Sequence, residues 1–241
     1  MLTTIRSWIF YAGLIPLTVF FAIISACVLI LPPTPRYKTI ITWSKLALWW
    51  LKITCNLHWE VKGIENITDR PGVILCKHQS AWETIAMQMI FPKQTQVLKK
   101  ELLRIPFFGW GLACLNPIAI NRSQGTKSVK KILDLGQKRI KDGWWVLLFP
   151  EGTRIEVGKN GRFTQTGAAL ALEADCPIIP VAHNAGVFWK KNTVKKHPGT
   201  IDVIIGAPIS TVGRSRKNII KDAENWIETT CAKLPSDISA S

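Results

Sequence analysis

The chain has few of the patterns that identify metal-binding or nucleotide-binding proteins. Its six cysteines form no C-x-x-C pair and show no spacing typical of metal ligands. Several of them lie inside apolar runs, as buried free thiols do, so we expect a reducing, cytosol-facing environment and no metal site. The sequence also contains no glycine-rich nucleotide loop, no internal repeat and no low-complexity tract. It therefore indicates neither a repeat scaffold nor a resident cofactor.

Acidic residues are scarce in this chain of 241 residues, which has 16 acidic and 31 basic side chains and a net charge of +15. Such an excess suits an anionic partner, which is a nucleic acid, a phospholipid surface or a phosphorylated substrate. The sequence contains no recognisable nucleic-acid-binding motif, so we expect an anionic phospholipid membrane and no nucleic acid. A basic module that binds membranes or nucleic acids without catalysis stays open as an alternative.

The N-terminal part of the chain carries no charge between residues 7 and 35. Residues 8–31 are almost wholly apolar, and a helix that crosses a bilayer needs about 20 such residues. A secretory signal is an alternative, because Arg6 precedes the run, but the run is long for a signal. We therefore expect a retained anchor. The larger basic excess follows the anchor, which places the main domain on the cytoplasmic side of an inner or plasma membrane.

A second segment with features of a membrane-associated helix follows at residues 38–57. Lys38, Lys45 and Lys52 recur every seven residues, so they share one face of a helix, and several tryptophans lie at its margins. A helix that lies in the membrane surface fits this pattern. A buried packing helix with three exposed lysines is the other interpretation.

The rest of the chain alternates predicted strands and helices. Short apolar runs predict strands at residues 73–76, 96–98, 118–120, 144–149, 178–182 and 201–205, with an edge strand around 59–61. Helical spacing occurs at residues 84–90, 126–141, 167–174 and 214–234. The alternation predicts an α/β fold with a largely parallel or mixed sheet flanked by helices. We divide the chain into membrane-anchoring helices at 1–57 and an α/β domain at 58–241.

His78 lies between the predicted strand at 73–76 and the predicted helix at 84–90, where α/β folds place working residues. Ser80 is a candidate helix cap, with Glu83 as its capping-box partner. The other interpretation is a His–carboxylate pair, in which Glu83 holds one ring nitrogen of His78 and leaves the other as a general base. These two residues share no face of an ideal helix, so they meet only if His78 lies in the turn.

A second stretch, FPEGTR at residues 149–154, follows another apolar run. Gly152 lets the backbone approach a ligand closely or adopt a positive φ. Arg154 offers a planar guanidinium suited to a phosphate group. An ordinary turn with a solvated arginine is the simpler interpretation of this stretch alone.

Together, HQSAWE at residues 78–83 and FPEGTR resemble the motifs of the glycerophospholipid acyltransferases. The resemblance is closest to the 1-acyl-sn-glycerol-3-phosphate (lysophosphatidic acid) acyltransferases, whose H-x4-D motif has Glu83 here in place of the aspartate. It covers roughly residues 58–210 in the order of its motifs. It implies an O-acyltransferase that makes phosphatidic acid in phospholipid synthesis.

The resemblance also implies roles for particular residues. His78 is expected to take the proton from the sn-2 hydroxyl of lysophosphatidic acid while Glu83 orients it, as the hydroxyl attacks an acyl thioester. The thioester is a co-substrate, carried by coenzyme A or by acyl carrier protein. The remaining candidates are substrate-binding residues, namely Arg154 first for the phosphate, then Arg122 and Lys100, with Thr153 as a hydrogen-bond donor, Gly152 as backbone, and Glu151 to orient Arg154 or accept a substrate hydroxyl.

Other acceptors would suit the same motif pair. Glycerol-3-phosphate, a lysophospholipid and a glycolipid each present a hydroxyl to the same kind of base. The sequence does not distinguish among these acceptors.

Overall fold

The structure is a computed structural model that describes residues 1–238. Two long helices come first, α1 at Leu2–Val28 and α2 at Pro33–Cys55. The chain then enters the α/β part through Asn56, whose left-handed φ of 51° turns it from α2 into the first strand.

The remaining elements include all the predicted strands and helices, together with α4 and α7, which were not predicted. The strands are β1 at Leu57–Lys62, β2 at Val73–Cys76, β3 at Gln94–Lys99, β4 at Ile118–Ile120, β5 at Trp145–Leu148, β6 at Ile178–His183 and β7 at Gly199–Ile205. The helices are α3 at Trp82–Ile90, α4 at Phe108–Cys114, α5 at Thr126–Lys141, α6 at Thr166–Glu173, α7 at Ala185–Phe188 and α8 at Arg216–Lys233, with 3-10 turns at Ile64–Asn66, Lys100–Arg104 and Arg122–Gln124.

Within residues 1–238 the strands form one seven-stranded sheet in the order β1-β7-β6-β2-β5-β3-β4. The pairs are parallel except that β7 runs antiparallel to β6. The predicted α/β fold with a mixed sheet is confirmed. The reversal at β7 is not visible in the sequence, because an apolar run gives no strand direction.

Strand β2 lies at the centre of the sheet between β5 and β6, and all four of its residues are buried. This full burial explains its continuous apolar run, since a central parallel strand is covered on both faces. Helices α5, α6 and α8 cover one face of the sheet, and α2 and α3 cover the other. Because β2 and its neighbour β5 are parallel, their carboxyl ends lie at the same end of the sheet, which brings the loops that follow them together.

Helix α1 packs against α2 and contacts the α/β part near both of its ends. Near its start, the backbone N–H of Lys196 donates to Oγ of Ser7 (2.9 Å), and near its end Sγ of Cys114 lies 3.7 Å from the carbonyl oxygen of Ser25. Its opposite face leaves large apolar side chains exposed, among them Trp8, Ile9, Ile15, Phe20 and Ile23. By length and composition α1 is sufficient to cross a bilayer.

Candidate active site

The turn between β2 and α3 holds His78 against Glu83. Nδ1 of His78 lies 2.8 Å from Oε1 of Glu83, whose side chain is fully buried. The imidazole also stacks on the ring of Phe149, with 4.0 Å between ring centroids and 16° between planes. The structure thus brings together the pair that the H-x4-E spacing predicts, because His78 lies in the turn and α3 begins only at Trp82.

Oε1 of Glu83 also accepts hydrogen bonds from the backbone N–H groups of Gln79 (2.9 Å) and Ser80 (2.8 Å). Oγ of Ser80 in turn accepts from the N–H of Trp82 at 3.2 Å. Glu83 therefore braces the start of the helix and holds His78 at the same time. The predicted Ser80 cap is wrong in position, because α3 begins at Trp82 with Ala81 as its N-cap residue, which makes no side-chain cap hydrogen bond.

The charge of Glu83 follows from its neighbours. Burial by itself would raise the pKa of this carboxyl, but the positive charges that His183 and His78 carry once they are protonated, with the hydrogen bonds from His78 and the Ser80 N–H, outweigh it and hold the pKa below its usual range. A carboxylate at Glu83 accepts the proton on Nδ1 of His78. The other ring nitrogen, Nε2, is therefore unprotonated and can accept a proton. The His78 side chain lines a cavity.

His183 supports the same turn from behind. Its Nδ1 accepts the N–H of Ala185 (3.2 Å), so Nε2 carries the ring proton and donates to the carbonyl oxygen of Lys77 (2.8 Å). Burial lowers the pKa of His183, which favours the neutral ring that this pattern requires. No local sequence pattern predicts this contact, because His183 lies 106 positions from Lys77.

The FPEGTR stretch leaves β5 directly beside this turn. Phe149 supplies the ring under His78, and the N–H of Ile155 donates to the carbonyl oxygen of His78 at 2.7 Å. Gly152 has a positive φ of 67°, a conformation that a glycine adopts without strain. The two motifs are therefore in direct contact at the carboxyl ends of the strands.

Glu151 lies behind this contact, with a side chain that has no exposure. Its Oε1 is 3.3 Å from Nζ of Lys77 and 3.5 Å from the backbone nitrogen of His78, while Nζ of Lys77 lies 2.7 Å from Oε1 of Glu228 on α8. Burial raises the pKa of Glu151, against the opposing effect of Lys77. This location favours a role in holding the two motif loops together over direct contact with a substrate.

A cavity of about 350 Å³ opens beside His78. Its lining includes His78 and three basic residues, Lys99, Arg122 and Arg154. Each of the four lies at or just beyond the carboxyl end of one of the parallel strands β2, β3, β4 and β5, and we call this part of the wall the polar end. The rest of its wall is mostly apolar and comes from α1, α2, α3, α4 and the adjoining turn, through residues that include Leu14, Phe21, Ala22, Ile40, Ile85, Leu102, Phe107, Phe108 and Leu112. This volume lies in the range of small-molecule sites, which is about 300–1,000 Å³.

Some of the predicted substrate residues lie outside the cavity lining. Gly152 and Thr153 do not line the cavity, and Lys100 is exposed beyond it, while its neighbour Lys99 lines the wall. Lys99 is the last residue of β3, at the same edge as the two motif loops. The rule that sites lie beyond strand ends therefore offered a signal for Lys99 that the motif match did not.

Across residues 1–238, no group of three or more His, Cys, Asp or Glu side chains is placed to hold a metal ion. The polar end of the cavity is instead cationic, apart from the Glu83 carboxylate behind His78.

A sequence model of the acyltransferase family matches residues 58–184, which include both motif loops. The chain belongs to this family. It is similar to the 1-acyl-sn-glycerol-3-phosphate acyltransferase of Pseudomonas aeruginosa, with 46% identity over 209 residues that cover 85% of this chain and 81% of the relative. It is also similar to the human 1-acyl-sn-glycerol-3-phosphate acyltransferase beta, with 29% identity over 191 residues that cover 77% of this chain and 67% of the relative.

Among solved structures, the fold is similar to the crystal structure of the 1-acyl-sn-glycerophosphate (LPA) acyltransferase PlsC from Thermotoga maritima. The two share 22% sequence identity and a TM-score of 0.73, over 94% of this chain and 96% of the other. The two proteins therefore share one fold.

Proposed function

We infer that this acyltransferase transfers a fatty acyl group from a thioester to the sn-2 hydroxyl of 1-acyl-sn-glycerol-3-phosphate, giving phosphatidic acid. The observation that carries this inference is the junction of the His78–Glu83 pair with a cluster of basic side chains at the polar end of one apolar cavity. The names of the two sequence relatives support the same acceptor.

The His78–Glu83 pair supplies the proton transfers. Nε2 of His78 takes the proton of the acceptor hydroxyl as its oxygen attacks the thioester carbonyl carbon. The carbon–sulfur bond then breaks, and the thiolate leaves with the proton that His78 had taken. The buried carboxylate of Glu83 stabilises the imidazolium between these two steps, and no enzyme nucleophile is needed because the acceptor supplies one.

The basic residues of the cavity suit the phosphate of the acceptor. A phosphate dianion leaves water only where cationic groups compensate its charge. Arg154 offers two N–H donors in one plane, and Lys99 and Arg122 add positive charge at the same end of the cavity. We therefore assign the phosphate to these three side chains, with Arg154 as the principal contact.

The apolar part of the cavity suits a fatty acyl chain. Leu14 and Phe21 of α1 and Ile40 of α2 form part of its wall, so the membrane-leaning helices complete the site. A thioester of coenzyme A and one of acyl carrier protein each supply the leaving group that the chemistry requires. Both remain candidate donors.

The N-terminal helices favour a membrane location for the enzyme. The exposed apolar face of α1 requires a lipid or protein cover. With the basic excess that follows α1, we propose that the α/β part faces the cytoplasm at an inner or plasma membrane.

A thioester-release assay tests this function. Purified protein is given palmitoyl-CoA or palmitoyl acyl carrier protein together with 1-acyl-sn-glycerol-3-phosphate, glycerol-3-phosphate, a lysophospholipid without a free phosphate monoester, or a lipid A precursor. Thiol release that depends on 1-acyl-sn-glycerol-3-phosphate and yields phosphatidic acid is the expected result. Greater release with another acceptor would assign the enzyme to that acceptor, and salt-sensitive duplex DNA binding without any thiol release would favour a non-catalytic module.

A further inference from the structure

A short segment beside the cavity exposes five large apolar side chains. Leu102, Ile105, Phe107, Phe108 and Trp110 are 36–45% exposed. We call these five residues the lip. Scattered apolar side chains are common on protein surfaces, but a contiguous apolar patch marks an interaction surface.

The backbone holds the lip in an outward position. Phe107 has φ 62° and ψ −59°, and the N–H of Phe108 donates to the carbonyl oxygen of Pro106 at 2.7 Å, which closes a γ-turn. A γ-turn with positive φ is rare and strained, above all for a bulky residue, and such strain persists where the surroundings fix it. The next residue fixes the turn, because the N–H of Gly109 donates to the carbonyl oxygen of Ile105 at 2.8 Å. Only glycine fits there, since a Cβ would lie 2.3 Å from the carbonyl oxygen of Leu103.

The lip belongs both to the outer surface and to the cavity rim. Leu102, Phe107 and Phe108 are exposed and also line the cavity that contains His78. On the other side, α4 packs against α1 where Sγ of Cys114 meets the Ser25 carbonyl oxygen. The lip thus joins the cavity wall to an element, α4, that packs on α1.

Charge around the lip favours an anionic surface. Lys99, Lys100 and Arg104 are exposed beside the apolar side chains, against one acidic neighbour, Glu101. Apolar side chains flanked by cations suit a bilayer of anionic lipids, where the apolar groups enter the acyl region and the cations stay among the phosphates. The packing of α4 on α1, a helix with its own exposed apolar side chains, points to the same occupant.

We propose that the lip is a lipid-contacting element separate from α1 and α2, which enters the anionic bilayer surface and opens the cavity to it. It rests on the proposed function for its purpose, which is to pass the acceptor from the bilayer to His78 without transfer through water. A lipid acceptor then slides past Leu102, Phe107 and Phe108 with its phosphate beside Lys99.

A fluorescence experiment tests the contact without any reference to catalysis. The exposed Cys27 is replaced by serine in the full chain, and an environment-sensitive fluorophore is attached at Ile105→Cys or, as the control, at Val212→Cys. Val212 is 79% exposed and follows Ile209, which pairs with Ile178 at the start of β6. It therefore lies near the amino ends of the central strands, opposite the end that carries the site. On phosphatidylglycerol vesicles we expect a blue shift and quenching by spin-labelled lipid at position 105 only. An unshifted probe at 105, or equal shifts at the two positions, would overturn the proposal.

An activity comparison tests the purpose of the contact. Ile105→Asp and Trp110→Asp alter lip side chains that do not line the cavity, and Val212→Asp is the matched control. With long-chain acceptor in vesicles we expect the two lip variants to lose about tenfold or more in rate, and with a monomeric short-chain acceptor to keep their rate. Equal losses on both acceptors would show that the lip only shapes the cavity. If the wild type acylates neither acceptor, the proposed function fails while the fluorescence result still decides the lipid contact.

Discussion

Nζ of Lys77 lies 3.3 Å from Oε1 of Glu151, so a buried ion pair joins the residue before His78 to the FPEGTR stretch. The same ammonium reaches Glu228 of α8 at 2.7 Å. Because both motif loops depend on this cation, it is a positioning contact for the site and a stabilising contact for the fold. Removal of one partner leaves an uncompensated buried charge.

Lys77→Met is therefore expected to lower the free energy of unfolding by about 3–5 kcal/mol and to reduce turnover. Denaturant unfolding measures the first effect, and Lys138→Met, which removes an exposed lysine of α5, is the control. The double variant Lys77→Met/Glu151→Gln should recover part of the loss, because it removes both buried charges. Strictly additive losses would contradict a direct interaction between the two side chains.

His78→Ala should reduce kcat by about 10²–10⁴-fold, which is the usual contribution of a positioned general base. The side chain lines the cavity and stacks on Phe149, so the fold should survive its removal. Steady-state thiol release measures the rate, and circular dichroism checks the fold. A folded variant with wild-type turnover would show that another group removes the proton.

The pair Lys99→Met and Lys100→Met separates two adjacent lysines. Lys99 lines the cavity and Lys100 does not, so only Lys99→Met should raise KM for the phosphate-bearing acceptor.

Arg154→Ala should raise the same KM by about 10–100-fold, as expected for a lost hydrogen bond between charged groups. In each case the KM for the acyl donor should change much less. A similar rise for the donor would place these residues at the thioester instead.

Glu83 makes stability depend on acid pH. Its pKa in the folded chain lies below the ordinary value of 4.5, so the unfolded chain binds protons more readily. The stabilisation from this carboxylate is fully present above that ordinary value and is lost as pH falls through the lower folded value. The difference in unfolding free energy between wild type and Glu83→Gln should thus shrink on acidification below about pH 4.5. A difference that does not change with pH would mean that Glu83 is not selectively ionised in the fold.

Most of the secondary structure was predictable because its cause is local. The buried strands at 73–76 and 144–149 are continuous apolar runs, and α5 has apolar residues at helical spacing, so the structure matches them to within a residue or two. Helix α4 was missed, since its sequence FGWGLAC is short and contains two glycines, and packing against α1 and α2 forms it instead.

The site was predictable only in part. His78 and Glu83 are five positions apart, so their meeting follows from one local turn. The burial of Glu151 depends on Lys77, which is remote in sequence, and on Glu228, 151 positions from Lys77. No local sequence pattern predicts ion pairs between residues so far apart in the chain. Likewise, which of Lys99 and Lys100 faces the cavity depends on where β3 ends.

The contribution of α1 to the cavity wall has a practical consequence. Deleting the N-terminal helix to obtain a soluble catalytic fragment would remove Leu14, Thr18, Phe21 and Ala22 from one side of the cavity. Compounds selected against such a fragment would bind a cavity that lacks one wall and is open to solvent. Inhibitor discovery on this enzyme therefore calls for full-length protein in detergent or nanodiscs.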